Sequence, residues 1–241
     1  MPIVFITGSG RRMGKGLAIE FARKQWDVAV NYNESKTDAL KTVEEIRSLG
    51  VQSIAVKADV RDIQEMERAF ETAVNELGKP DVLVNNAGIF PPQKNLDEIS
   101  VEFWDNTMNV NLRGEFFASQ VFSKFAAAGS RIINISSLGG LEVWKHRIPY
   151  NVSKAAVIQL TKALARELAP VLSVNAVCPG AILINDDPSE TDTSLIDINK
   201  IPMKRYGNTQ DIFEAVYFFA TCSGYITGQV ITVDGGYHDA R

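Results

Sequence analysis

The chain has 241 residues, 45% of them apolar, and a formal charge of −4 at neutral pH. That apolar share supports a sizeable core and excludes disorder, while 17 glycines and 9 prolines exclude collagen-like or low-complexity architecture. A mildly acidic chain has no bulk electrostatic reason to bind nucleic acid or an anionic membrane.

Val4 to Thr7 reads as a strand, followed by a glycine-rich turn and a helical stretch with Leu17, Ala18, Phe21 and Ala22 on one face. Val28–Val30 is a second strand, and Thr37–Leu49 a helix stopped by Gly50. Ser53–Val56 is a third strand, with a helix over Asp62–Leu77 ending at Gly78. Val82–Val84 is a fourth strand, followed by one long helix from about Val101 to Ala128. Arg131–Ile135 is a fifth strand, and Tyr150–Leu168 a helix closed by Pro170. Ser173–Val177 is a sixth strand, Thr209–Thr221 a helix, and Gln229–Val233 a last strand. Gly180 to Arg205 breaks this rhythm. It is long and polar, with Asp186, Asp187, Glu190, Asp192 and Asp197, and is expected to be a substrate-binding loop.

Short apolar strands alternating with long helices imply parallel pairing with right-handed crossovers. The expected fold is a single-domain, Rossmann-like doubly wound α/β fold: about seven parallel strands with helices on both faces. Cys178 and Cys222 lie far apart in apolar segments and read as two buried thiols in a reducing compartment. With only His146 and His238 beside them, no metal site is expected. No apolar run reaches the roughly 18–20 residues of a membrane span, and no charged leader precedes Ile3–Ile6. The expected location is the cytoplasm.

Thr7-Gly8-Ser9-Gly10-Arg11-Arg12-Met13-Gly14 joins the first strand to the first helix, where glycine lets backbone approach a pyrophosphate and the helix start offers orphan N–H donors. The outer glycines are six apart, one more than in the common dinucleotide motif. The second strand ends Asn31-Tyr32-Asn33-Glu34-Ser35-Lys36, with no acid at its immediate end for ribose hydroxyls. Arg11 lies nearby in the turn. Arginine with Asn33 and Ser35 suits a 2′-phosphate, so NADPH is expected over NADH, with Glu34 the objection.

Tyr150 and Lys154 are four residues apart on one helix and share a face. An ammonium beside a phenol stabilises the phenolate and fits the tyrosine for proton transfer to a reduced carbonyl or imine. Ser137 lies just past the fifth strand, Asn85-Asn86-Ala87-Gly88 past the fourth, and Asn111 in the next helix. All gather at the carboxyl edge of the sheet, where such folds bind ligands.

Together with Asp59-Val60, Pro179-Gly180 and the tail Tyr225-Ile226-Thr227-Gly228-Gln229 to Val233-Asp234-Gly235-Gly236, these residues resemble the short-chain dehydrogenase/reductase family along essentially the whole chain. The resemblance implies Tyr150 as general acid/base and Lys154 as its modulator and ribose ligand. It implies Ser137 as the group orienting the substrate oxygen, and Asn111 as holder of a water that links Lys154 to solvent. Asp59 and Val60 would contact the adenine, Asn86, Ala87 and Gly88 would line the cofactor groove, and Pro179-Gly180 would border the nicotinamide. Gly8, Gly10, Arg11, Arg12, Met13 and Gly14 would form the phosphate turn.

Two departures are similar to the pteridine reductase branch. Arg12 stands where the family turn has glycine, and Ile184 where many relatives have threonine. Phe90 follows Asn86-Ala87-Gly88-Ile89, so Arg12 and Phe90 would hold a flat heterocycle, while Ser137 is the ordinary carbonyl-reductase choice. The expected function is NADP(H)-dependent reduction of C=O or C=N in a small molecule, with a pterin as first candidate. A 3-oxoacyl thioester is the alternative, and a non-catalytic NADP(H) sensor the reading from another class. A homotetramer, or a dimer, is expected by analogy with the family.

Overall fold

A computed structural model of the chain describes residues 1–184 and 196–240. In chain order the strands are β1 (Ile3–Ile6), β2 (Asp27–Tyr32), β3 (Ser53–Lys57), β4 (Val82–Asn85), β5 (Arg131–Ile135), β6 (Ser173–Pro179) and β7 (Val230–Val233). The helices are α1 (Arg12–Arg23), α2 (Lys36–Ser48), α3 (Ile63–Glu76), α4 (Val101–Met108), α5 (Gly114–Phe125), α6 (Ile148–Leu168) and α7 (Thr209–Thr221). All strands are parallel, in the order β3-β2-β1-β4-β5-β6-β7. This is a single-domain Rossmann-like sheet. The winding reverses between β1 and β4, and that switch point opens a crevice at the carboxyl ends of the strands.

Alternate strand residues feed two cores. Val4, Ile6, Val28, Val30, Val82 and Val84 pack against α1, α2 and α7 through Leu17, Phe21, Val43, Ile46, Phe213 and Phe219. Phe5, Ala29, Leu83 and Ile132 pack against α3, α5 and α6 through Met66, Phe70, Val121, Phe122 and Leu164. Burial on both faces is why the strands read as unbroken apolar runs. Phe5 stacks on Phe70 at 4.1 Å in one core, and Phe21 meets Phe213 edge-on at 5.2 Å in the other. Asp62 caps α3 by accepting from the amides of Gln64 and Glu65.

The long helix expected from Val101 to Ala128 is divided. A π-helical turn, Asn109–Arg113, separates α4 from α5, and the helix stops at Phe125. Cys178 is buried, as expected, but Cys222 is only half-buried, because it lies just past α7 rather than inside it. Of the expected loop 180–205, residues 185–195 lie outside the described residues. After them, Ile196 and Ile201 are buried against Leu138. Among the described residues no helix is long and apolar enough to cross a membrane.

Candidate active site

Thr7 follows β1 with its hydroxyl accepting from the backbone N–H groups of Asn86 and Ala87, each at 2.9 Å. Asn86 Nδ2 donates back to the Thr7 carbonyl at 2.9 Å and to the Gly8 carbonyl at 3.1 Å. The loop after β4 is thereby fastened to the turn after β1. The fit leaves no room for side chains: a Cβ on Gly14 would lie 2.5 Å from Gly8 O, and one on Gly8 (φ +61) would lie 2.9 Å from Ala87 Cα. Arg12 sits at φ +56, in the left-handed region that favours glycine. An L-residue in that left-handed region costs roughly 1–2 kcal/mol.

The turn opens into a cleft of about 660 Å³. Gly8, Arg11, Arg12, Met13, Gly14, Asn33, Asp59, Val60, Asn86, Ala87, Gly88, Phe90, Tyr150 and Lys154 line it, so most of the expected site residues share one wall system. Gly10, Asn111, Ser137, Pro179 and Gly180 are not on that lining. Gly10 instead sits against α2, where Thr42 Oγ1 donates to its carbonyl at 3.0 Å. Gly180 donates to the Val233 carbonyl and lies so close to Asp234 that a Cβ would come within 2.7 Å.

At the β2 end, Asn33 Nδ2 donates to Asp59 Oδ2 at 3.1 Å, and Arg61 pairs with the same carboxylate at 2.6 Å. Hydrogen bonding from Arg61 holds the Asp59 carboxyl below its usual range, against the opposing effect of burial. Arg61 also donates to Asn106 Oδ1 and lines the cleft together with exposed Glu34. Sequence reasoning passed over Arg61. Its position two residues after Asp59 was the available signal.

At the other end, Tyr150 and Lys154 lie one turn apart on α6. Lys154 Nζ donates to the Ile135 carbonyl at 2.7 Å and meets Glu115 Oε1 at 3.3 Å. A Cβ on Gly88 would lie 3.6 Å from Nζ, so the ammonium forms part of the cleft floor. Glu115 is buried, and burial pushes its carboxyl up to about 7 despite the opposing pull of Lys154. Glu115 was not a sequence candidate, since nothing in its local pattern separates it from a surface acid on a helix.

Asn111 sits in the π-turn with its side chain committed. Its Oδ1 accepts from Ile89 N at 2.8 Å, and its Nδ2 donates to Ile89 O at 3.0 Å and Ser153 Oγ at 3.2 Å. Ser137 is buried beside Tyr150's neighbour Gly139, whose amide it accepts at 3.1 Å. Tyr150 is walled by aromatic rings: Phe90 edge-on at 4.6 Å and Trp144 nearly parallel at 6.1 Å. The Arg147 guanidinium lies over the Phe90 ring at 4.1 Å and donates to the Pro91 carbonyl. One face of Phe90 is therefore already covered.

Residues 8–238 match the family model described as Enoyl-(Acyl carrier protein) reductase. The 3-oxoacyl-(acyl-carrier-protein) reductase FabG of Staphylococcus epidermidis is 38% identical over 239 residues, covering 97% of each chain. A dehydrogenase/reductase from Sinorhizobium meliloti 1021 superposes with a TM-score of 0.92 at 36% identity, covering 98% of this chain and 95% of the other. A short chain dehydrogenase from Burkholderia cenocepacia J2315, solved in complex with NADP, does so with a TM-score of 0.90 at 33% identity, covering 98% and 97%.

Proposed function

The chain belongs to the short-chain dehydrogenase/reductase family, and from that premise we propose an NADPH-dependent reductase of 3-oxoacyl thioesters. The observation that carries the reading is the pairing of Tyr150 with a Lys154 ammonium fixed at two points, at one end of a cleft that begins at the glycine turn. The residues present fit a dinucleotide. The turn after β1 has no space for a Cβ at Gly8 or Gly14, the start of α1 offers N–H donors to phosphate, and Arg11 and Arg12 flank it. Arg11 and Arg61 are the cations available to a 2′-phosphate, and the Burkholderia relative solved with NADP supports this choice over NADH.

Bound there, the cofactor supplies a hydride for the carbonyl carbon. Tyr150 holds the proton that goes to the carbonyl oxygen, and its hydroxyl becomes a phenolate. Lys154 stabilises that phenolate and holds ribose hydroxyls. Ser137 orients the substrate oxygen. Asn111 pins the Ile89 backbone from within the π-turn, and there it would hold a water that links Lys154 to solvent. Pro179 and Gly180 border the nicotinamide side.

The 38% identity to a named 3-oxoacyl reductase and the covered face of Phe90 favour the thioester. A flat heterocycle such as a dihydropterin is the second reading, supported by the Phe90 and Trp144 rings about Tyr150 and by Arg12 on the same cleft. Free Cys178 and Cys222 thiols agree with a cytoplasmic location. Exposed Val101, Phe116 and Val152 on α4, α5 and α6 support a homotetramer built on these helices.

NADPH oxidation is followed with acetoacetyl-CoA in one cuvette and dihydrobiopterin in another. Selective turnover of the thioester is expected, and selective turnover of the pterin overturns the substrate assignment. The Tyr150→Phe variant is expected to lose about 10²–10⁴ in kcat while still binding NADPH. Full turnover by that variant overturns the catalytic assignment, and turnover by neither protein with any carbonyl favours a cofactor sensor.

A further inference from the structure

Lys154 is held on its buried side by two acceptors of different character. The Ile135 carbonyl is fixed by β5 and never titrates. The Glu115 carboxyl is the other. It arrives from the first turn of α5, which approaches the loop after β3 so closely that a Cβ on Gly114 would lie 2.8 Å from Val60 Cγ2. Its backbone is tied into a buried polar chain: Asn85 Nδ2 donates to Ser119 Oγ at 2.8 Å and to Asn134 Oδ1 at 2.9 Å, and Ser119 donates to the Glu115 carbonyl at 2.7 Å. Among the described residues, Glu115 Oε2 and Asn85 Oδ1 are both buried acceptors that receive no hydrogen bond, and both border one small internal space with Thr7 and Ala87. Each such acceptor is costly, and a proton on Oε2 turns that one into a donor.

We propose that Glu115 is a positioning residue for the Tyr150–Lys154 pair: it clamps Lys154 Nζ against the Ile135 carbonyl and alternates between a charged and a neutral partner of that ammonium. The inference rests on the reading of Tyr150 and Lys154 as the catalytic pair. When Glu115 is ionised it offsets the ammonium charge felt by Tyr150. When it holds a proton, the full charge of Lys154 acts on the phenolate that forms as Tyr150 gives up its proton. The groups facing Glu115 allow this. Thr7, Asn85, Asn134 and Ser119 are neutral, the Cys178 thiol beside Ser136 is pushed up to about 11 by burial and stays protonated, and among the described residues Lys154 is the one charged neighbour that acts on the carboxyl. Burial holds the carboxyl near 7, where it changes state across the physiological range.

The test compares pH profiles of kcat for acetoacetyl-CoA reduction at saturating NADPH. Wild type is expected to show an inflection near neutrality from Glu115. In Glu115→Gln that near-neutral inflection disappears. A variant profile that superimposes on wild type overturns the proposal. Should that variant not fold, the wild-type holoenzyme is titrated by carbon NMR with labelled glutamate. A carboxyl midpoint near 7 that rises further in Lys154→Met supports the coupling, and an ordinary midpoint near 4.5 overturns it. If Tyr150→Phe retains full turnover, the catalytic reading falls and this inference with it. If Tyr150→Phe is inactive while Glu115→Gln behaves as wild type, only the Glu115 assignment falls.

Discussion

Replacing Thr7 with valine removes one oxygen and keeps the shape. That oxygen accepts from the amides of Asn86 and Ala87 at 2.9 Å each, and Thr7 is only 1% exposed, so water does not replace it. Two donors lose their acceptor at a cost of roughly 1–2 kcal/mol each, about 2–4 kcal/mol together. For a chain of this length that lowers the midpoint of thermal unfolding by roughly 5–10 °C. Thr7→Ser is the control. It keeps the oxygen and loses one methyl, which costs about 1 kcal/mol. Calorimetry separates the two variants in stability, and a fluorescence titration with NADPH separates them in function. The Asn86–Gly88 loop forms one wall of the cleft, so Thr7→Val is expected to weaken NADPH several-fold while Thr7→Ser does not. A valine variant as stable as the serine variant, with unchanged NADPH affinity, would refute the idea that this hydroxyl fastens the two loops.

Arg11→Gln is expected to raise the Kd for NADPH about tenfold, the value of one charge-assisted contact, and to leave that for NADH unchanged. Equal effects on both cofactors would remove Arg11 from the 2′-phosphate site. Glu115 also sets a pH dependence of stability. Its carboxyl is raised from 4.5 to about 7 in the folded state, so the folded protein binds the proton more strongly than the unfolded chain does. The resulting stability is fully present below about pH 4.5 and is lost as pH rises through about 7, at up to roughly 1.4 kcal/mol per pH unit. Glu115→Gln should flatten the thermal midpoint between pH 5 and 8, and a decline parallel to wild type would contradict the assignment.

The sheet was legible because its strands are buried on both faces and leave uninterrupted apolar runs, such as Val82–Val84 and Ile132–Ile133. The Tyr150–Lys154 pair was legible because four-residue spacing on a helix fixes a shared face. Three features were not. The π-turn at Asn109–Arg113 keeps helical composition throughout, so the sequence reads as one helix. Arg61 and Glu115 are ordinary charged residues in their own segments; Asp59 beside Arg61 was a local signal, but Asn106 and Lys154, which complete their roles, are brought near only by the folded chain. Arg12 stood out as a departure from glycine, but only its φ of +56 shows what that position demands.

The π-turn also sets how much length change this region can absorb. Each residue added to or removed from a helix rotates everything beyond it by about 100°. Deleting one residue from Asn109–Arg113 would restore a regular helix in place of the wide turn. The wide turn has absorbed that one extra residue, so α5 stays close to its phase; deleting two residues would swing α5 by more than a quarter of a revolution, carrying Ala118, Val121 and Phe122 out of the α3-side core and turning Glu115 away from Lys154. Single-residue deletions in the flanking loops, such as Ala126–Gly129, change no such phase. Two-residue deletions within 109–113 should therefore abolish expression and turnover together, while single-residue deletions there should keep the fold.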